Sequence, residues 1–203
     1  MDESKKITRE ELLERYAKGE RNFSYCDLAG VRLFGDNLKG ANLSCANLSC
    51  ANLSGANLKG ANLKGANLRS SNLSRANLSG SLLHDAILYR SNLIDSTLIK
   101  ANLYRSNLTE VNLYSSNLSS ANLKGANLFR ANLSRANLSS ANLFRAHLSM
   151  ANLSIANLGG ANLSKASLTC ANLTDADLTG ANLTDANFNW ANLTCANLTD
   201  TGR

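Results

Sequence analysis

A chain of 203 residues with 44 % apolar residues and no proline carries too much apolar surface to remain disordered. No run approaches 18 consecutive apolar residues, which excludes a membrane-spanning helix. The net charge of +6 is uneven, with five basic and six acidic residues in positions 1–20 and sixteen basic against nine acidic in the remainder.

The opening Met1-Asp2-Glu3-Ser4-Lys5-Lys6 lacks the apolar stretch of a secretory signal. Five cysteines, an odd number, read as free thiols in a reducing compartment. The expected location is therefore cytoplasmic. Residues 7–18 are predicted to form a helix. Thr8 with Glu11 matches a capping box, Leu12, Leu13 and Tyr16 give it one apolar side, and Gly19 is a stop. A stacked-repeat architecture needs its first layer covered against end-to-end aggregation, so residues 1–20 are expected to be an N-terminal capping segment.

From residue 21 to residue 200 every fifth position is Leu, except for Phe23 and Phe188, which makes 36 uninterrupted repeats. Two residues before each Leu stands Ala in 25 repeats and Ser in six, with Asn between them in 28. Ala41-Asn42-Leu43-Ser44-Cys45 is one such unit. On an α-helix five residues advance by about 500°, so the Leu set would wander round the surface. In a flat strand an odd spacing sends successive Leu to opposite faces. The pattern buries every Leu only if the chain turns a corner once per repeat, always the same way, with Ala and Leu inside and Asn outside.

The unit resembles the motif of the pentapeptide-repeat family, Ala-(Asn or Asp)-Leu-x-x, and the resemblance covers residues 21–200. It implies an all-β, right-handed quadrilateral parallel β-helix of four repeats per coil. On that reading nine coils span 21–200, a short capping α-helix precedes them, and residues 201–203 are a tail. At about 4.8 Å per coil the rod is on the order of 43 Å long. The expected core includes Phe23, Leu43, Leu83, Leu123, Leu163 and Phe188. Ser71, Ser81, Ser91, Ser96, Ser106 and Ser116 replace inward Ala, where a small hydroxyl can reach the neighbouring backbone.

Catalysis by a positioned acid–base pair needs convergent groups in a cleft. The two histidines, His84 and His147, fall about three coils apart with no acid or nucleophile pattern beside them, so no enzyme, metal or cofactor is expected. The informative residues are departures from the repeat. Leu82 and Ile87 take outward Asn positions, and Tyr89, Ile94, Ile99, Tyr104 and Tyr114 take outward variable positions. Such an exposed apolar girdle marks a candidate partner surface. Arg105, Lys124, Arg145 and Lys165 fall on consecutive coils of one face, a basic stripe able to attract anionic partners. The plainer reading of that stripe is a solvated face that keeps the rod soluble, and nucleic acid ranks below a protein as the partner. Phe188 and Trp190 lie in a last coil with no cap of its own. Gyrase-interacting members of the family dimerise through their C-terminal coils, so the resemblance implies a homodimer end here. The expected function is a non-catalytic structural or protein-interaction rod. The alternatives are a DNA-mimic regulator of an enzyme such as gyrase, disfavoured by the positive charge, and a binder of anionic partners along the basic face.

Overall fold

The computed structural model describes residues 5–202. Residues 1–4 of the expected cap and Arg203 of the expected tail lie outside the described residues. Helix α1 spans Arg9–Ala17, starting two residues later and ending one residue earlier than the expected 7–18. The Thr8 side chain accepts the Glu11 N–H at 3.1 Å, so Thr8 is the cap and Ile7 precedes the helix. Ile7 instead donates its N–H to the Asp27 carbonyl at 3.2 Å, and the Lys5 carbonyl accepts from Asp27 at 3.0 Å. Residues 5–7 therefore pair with coil one as extended chain before α1 crosses its end.

Beyond α1 the chain winds as a right-handed, four-sided β-helix. Each side contributes one parallel bridge centred on its Asn position, twenty residues from the next, as in Asn22 with Asn42 and Asn42 with Asn62. Sides 1 to 4 are named here by the columns that begin at Asn22, Asp27, Arg32 and Asn37. Within a side, the Leu N–H donates upward to the next coil at about 2.7 Å and the Asn N–H donates downward, as Leu63 to Leu82 and Asn62 to Ala41 do. The Leu carbonyl then accepts from the N–H three residues on, Leu43 from Ala46 at 3.1 Å, which closes a β-turn at every corner.

All 36 final repeat positions have positive φ, 26 of them occupied by residues other than glycine. This is the left-handed residue that a type II turn requires at its third position. Glycine at 40, 55, 60, 65 and 80 therefore meets a demand present at every corner. Ile155, with φ 58°, is the only β-branched residue among these positions, and β-branching is worst tolerated there. Ile155→Asn is expected to stabilise the rod by roughly 1 kcal/mol, visible as a higher melting temperature.

The inner columns are dry. Phe23 and every inward Leu from Leu28 to Leu178 are exposed by no more than 1 %. The six inward serines are buried, and each hydroxyl donates to the Leu carbonyl three residues back, Ser71 to Leu68 at 2.7 Å for example. Outside, Asn carbonyl oxygens accept the N–H two residues on, and their amides form ladders between coils, such as Asn62 to Asn42 at 3.0 Å.

The two ends differ. In coil one the four inward Ala positions hold Arg21, Cys26, Val31 and Asp36, because they face α1 and not another coil. Arg9 grips Asp36 through two bonds of 2.9 and 2.8 Å, and the Arg21 guanidinium lies 3.8 Å from the Tyr16 ring centroid. Arg15 bonds Glu20 and Glu11; Lys5 and then Arg15 hold the Glu11 carboxyl below its ordinary range, and Arg15 does the same for Glu20. Burial pushes the Cys26 thiol up. At the other end the N–H groups of Phe188, Leu193 and Leu198 make no backbone hydrogen bond among the described residues. Leu183, Phe188, Leu193 and Leu198 are only partly buried there.

Candidate functional site

The variable residues of each repeat occupy a corner, not the middle of a side. Arg105, Lys124, Arg145 and Lys165 therefore line the corner between sides 1 and 2, with Lys64 below them on coil three. The stripe is bounded by acids at both ends, Asp85 at 3.7 Å from Arg105 and Asp185 at 3.9 Å from Lys165. Sequence reasoning did not single out the matching corner between sides 2 and 3, which carries Arg69, Arg90 and Arg130 against Glu110. Laying out the twenty-residue columns of adjacent corners side by side is the signal that finds it. Arg90 bonds Glu110 at 2.6 Å, and that carboxylate raises the Arg90 pKa further.

Aromatic rings set these cations in place. Tyr89 gathers Arg69, from one coil below, and its neighbour Arg90 over its ring, at 4.8 and 4.9 Å from the centroid. Phe144 repeats the arrangement on the other corner, with Lys124 at 5.3 Å and Arg145 at 5.1 Å. Arg105 over Tyr104 and Arg130 over Phe129 are half-versions of the same clamp. A guanidinium stacked on a ring keeps its in-plane donors free for an anion.

Between the two corners, Ile87, Asn107, Asn127 and His147 are exposed in the middle of side 2. The side-chain oxygens of Asn107 and Asn127 accept the N–H groups of Thr109 and Phe129. Among the described residues their amide nitrogens join no ladder.

The girdle is narrower than its sequence pattern. Leu82 and Ile87 are 42 % and 41 % exposed, whereas Tyr89, Ile94, Ile99, Tyr104 and Tyr114 are half-buried. The rings of Tyr89 and Tyr104 carry guanidinium groups over them. Leu82 and Ile87 also interrupt the Asn ladders of sides 1 and 2. Ile94 lines a shallow trough of about 460 Å³ that runs over Ser74, Ser54 and Gly55 to Phe34. The open last coil forms a second concavity, about 260 Å³, lined by Leu183, Ala186, Phe188, Leu193 and Leu198, with Trp190 88 % exposed beside it.

Chemistry-bearing groups do not converge. Cys45, Cys50, Cys170 and Cys195 are exposed free thiols, and no metal-holding group of His, Cys, Asp or Glu occurs among the described residues. His84 Nδ1 is buried and has no hydrogen-bond partner among the described residues. Among the described residues no helix is long and apolar enough to cross a membrane.

No curated protein sequence matches the chain. Among solved structures, HetL is a pentapeptide-repeat protein involved in heterocyst differentiation regulation in the cyanobacterium Nostoc sp. strain PCC 7120. It is 35 % identical over 97 % of this chain and 94 % of its own, with a TM-score of 0.46. The pentapeptide-repeat protein alr5209 from Nostoc PCC 7120 is 39 % identical over 51 % of this chain and 82 % of its own, with a TM-score of 0.48. A trypsin-treated form of QnrB1, a plasmid-mediated fluoroquinolone resistance protein, is 20 % identical over 79 % of this chain and 87 % of its own. Its TM-score of 0.62 is a likeness of fold. The family model for pentapeptide repeats matches eight copies in overlapping segments that together run from residue 22 to residue 201. Matched through nearly all of its length, the chain belongs to the pentapeptide-repeat family.

Proposed function

We propose that the chain is a non-catalytic rod that works by binding another protein through the girdle of coil four. The observation that carries this reading is the pair Leu82 and Ile87. They are large, apolar and exposed at positions where Asn would extend a hydrogen-bonded ladder. Stacking does not call for them, since the bridges of Leu82 to Asn102 and Ile87 to Asn107 use backbone alone. Apolar side chains left in water beside polar columns favour a partner that covers them.

The test is the triple variant Leu82→Asn, Ile87→Asn, Ile94→Ser used as bait beside the parent chain. Its melting temperature is expected to hold or rise, because Asn restores the ladders, while partner capture is lost. Undiminished capture by a folded variant sinks the idea.

The open last coil supports self-association as a second reading. Its unpaired N–H groups and half-covered Leu183, Phe188, Leu193 and Leu198 are the surface an isologous dimer would bury, with Trp190 at its rim. Light scattering across concentration is expected to give a dimer mass, and a constant monomer mass rejects it. DNA mimicry has less behind it: Asp175, Asp177, Asp185 and Asp200 lie on three different corners and one side.

A further inference from the structure

The charge of the rod is gathered on one side. Over coils three to eight, residues 61–180, the two corners bordering side 2 hold eight cations and two carboxylates, a surplus of six. The rest of those coils holds Arg75, Lys100 and Arg135 against Asp95, Asp175 and Asp177, which cancel. The whole chain has a net charge of +6, so side 2 and its corners account for an excess as large as the total.

We propose that side 2 binds the phosphate backbone of a nucleic acid, laid along the rod axis between its two cationic corners. This goes beyond the protein-binding reading and does not rest on it. Three features favour phosphate over other anions. First, the cations run in two rows along about 24 Å of axis, an extended positive track of the kind a continuous phosphate backbone matches. Second, the cations are held by Tyr89 and Phe144, so less side-chain freedom is lost when an anion arrives. Third, the wall between the corners offers donors, the unladdered amides of Asn107 and Asn127 and the exposed His147, of the kind that position phosphates.

The rings also define the mode of reading. Tyr89 and Phe144 each already carry two cations over their rings, which compete with a stacking base, so binding follows the backbone and ignores base sequence. Lys64, Arg69, Lys124, Arg130 and Arg145 form no ion pair among the described residues, unlike Arg90, Arg105 and Lys165. Five unpaired cations predict a slope of log affinity on log salt of about −4.5 for a duplex and about −3.5 for a single strand.

The experiment is fluorescence anisotropy with labelled 20-mers of mixed sequence, duplex and single-stranded, titrated from 50 to 200 mM salt. Duplex affinity is expected to fall about 500-fold over that range, and single-strand affinity about 100-fold. The tighter form names the physiological ligand. The variant Lys124→Gln, Arg130→Gln, Arg145→Gln is expected to bring the duplex slope to about −1.8, with its melting temperature unchanged. The variant Arg75→Gln, Lys100→Gln, Arg135→Gln removes the same charge from the other corners and is expected to bind like the parent. Equal weakening by both variants, no binding at 50 mM salt, or displacement by polyglutamate at matched charge overturns the proposal. The last outcome assigns side 2 to an acidic protein.

Discussion

Leu123→Ala is expected to destabilise the rod by about 3–5 kcal/mol, the upper part of the range for a fully buried leucine. Leu123 sits in coil six with no exposure, and Ala121 beside it has none either. The size of such a penalty depends on how far the surroundings collapse into the space left behind. Here they cannot move far, because Leu123 donates its N–H to Asn142 at 2.7 Å and Asn122 donates to Ala101 at 2.9 Å. Those bonds hold the backbone at a fixed coil spacing, so the cavity persists. Leu198→Ala, in the half-covered last coil, is expected to cost less than half as much. Urea unfolding of the two variants checks both figures. Equal losses would mean that the rod melts from its ends irrespective of where the defect lies. In a nearest-neighbour solenoid the central defect is also expected to split the transition, with coils on either side unfolding separately.

The second large effect is expected at the cap. Leu12, on α1, is fully buried in the same core cluster as Ile7 and Phe23 of coil one. Leu12→Ala is expected to cost about 2–5 kcal/mol of docking. The consequence reaches past stability, because an undocked α1 uncovers the inner column and the pairing edge of coil one. Open sheet edges recruit other chains, so the variant is expected to lose monodispersity in light scattering while Leu198→Ala does not. A variant that stays monodisperse would show that coil one tolerates water without help. The Arg9–Asp36 pair orients the helix on that coil. Arg9→Ala strands the Asp36 side chain, 14 % exposed, without its cation. Asp36→Ala in the same chain, which restores the repeat's own residue, is expected to recover part of the loss.

The repeat made the architecture readable in advance, since a spacing of five leaves few ways to hide every Leu at once. The Thr8 cap was readable for the same kind of reason, a local pattern with a local hydrogen bond. Arg21, Cys26, Val31 and Asp36 were harder, because they occupy repeat positions but answer to α1. The candidate surfaces were legible only in part. A twenty-residue register says which residues stand in one column, but not which way a long side chain lies. Tyr89 and Tyr104 counted as exposed in the column and are half-buried with arginines over their rings in the fold. Arg105 and its companions counted as one face, although a corner serves two. That shared corner is why Arg69, Arg90 and Arg130 escaped notice.

An unbroken count of twenty residues per coil has one more consequence, which concerns length. Removing twenty residues shortens the rod by one storey and leaves every column above the cut aligned with the column below. Removing five turns everything above the cut by a quarter revolution. A deletion of one repeat within coil five would carry the Phe144 clamp round to the neighbouring corner, out of line with the lower cations, while the hydrophobic interior closed up almost unchanged. Such a chain would fold, melt and scatter light much as its parent does, yet its surface pattern would be dislocated. For this molecule the indel that spares the core is the one most able to scramble what the outside presents.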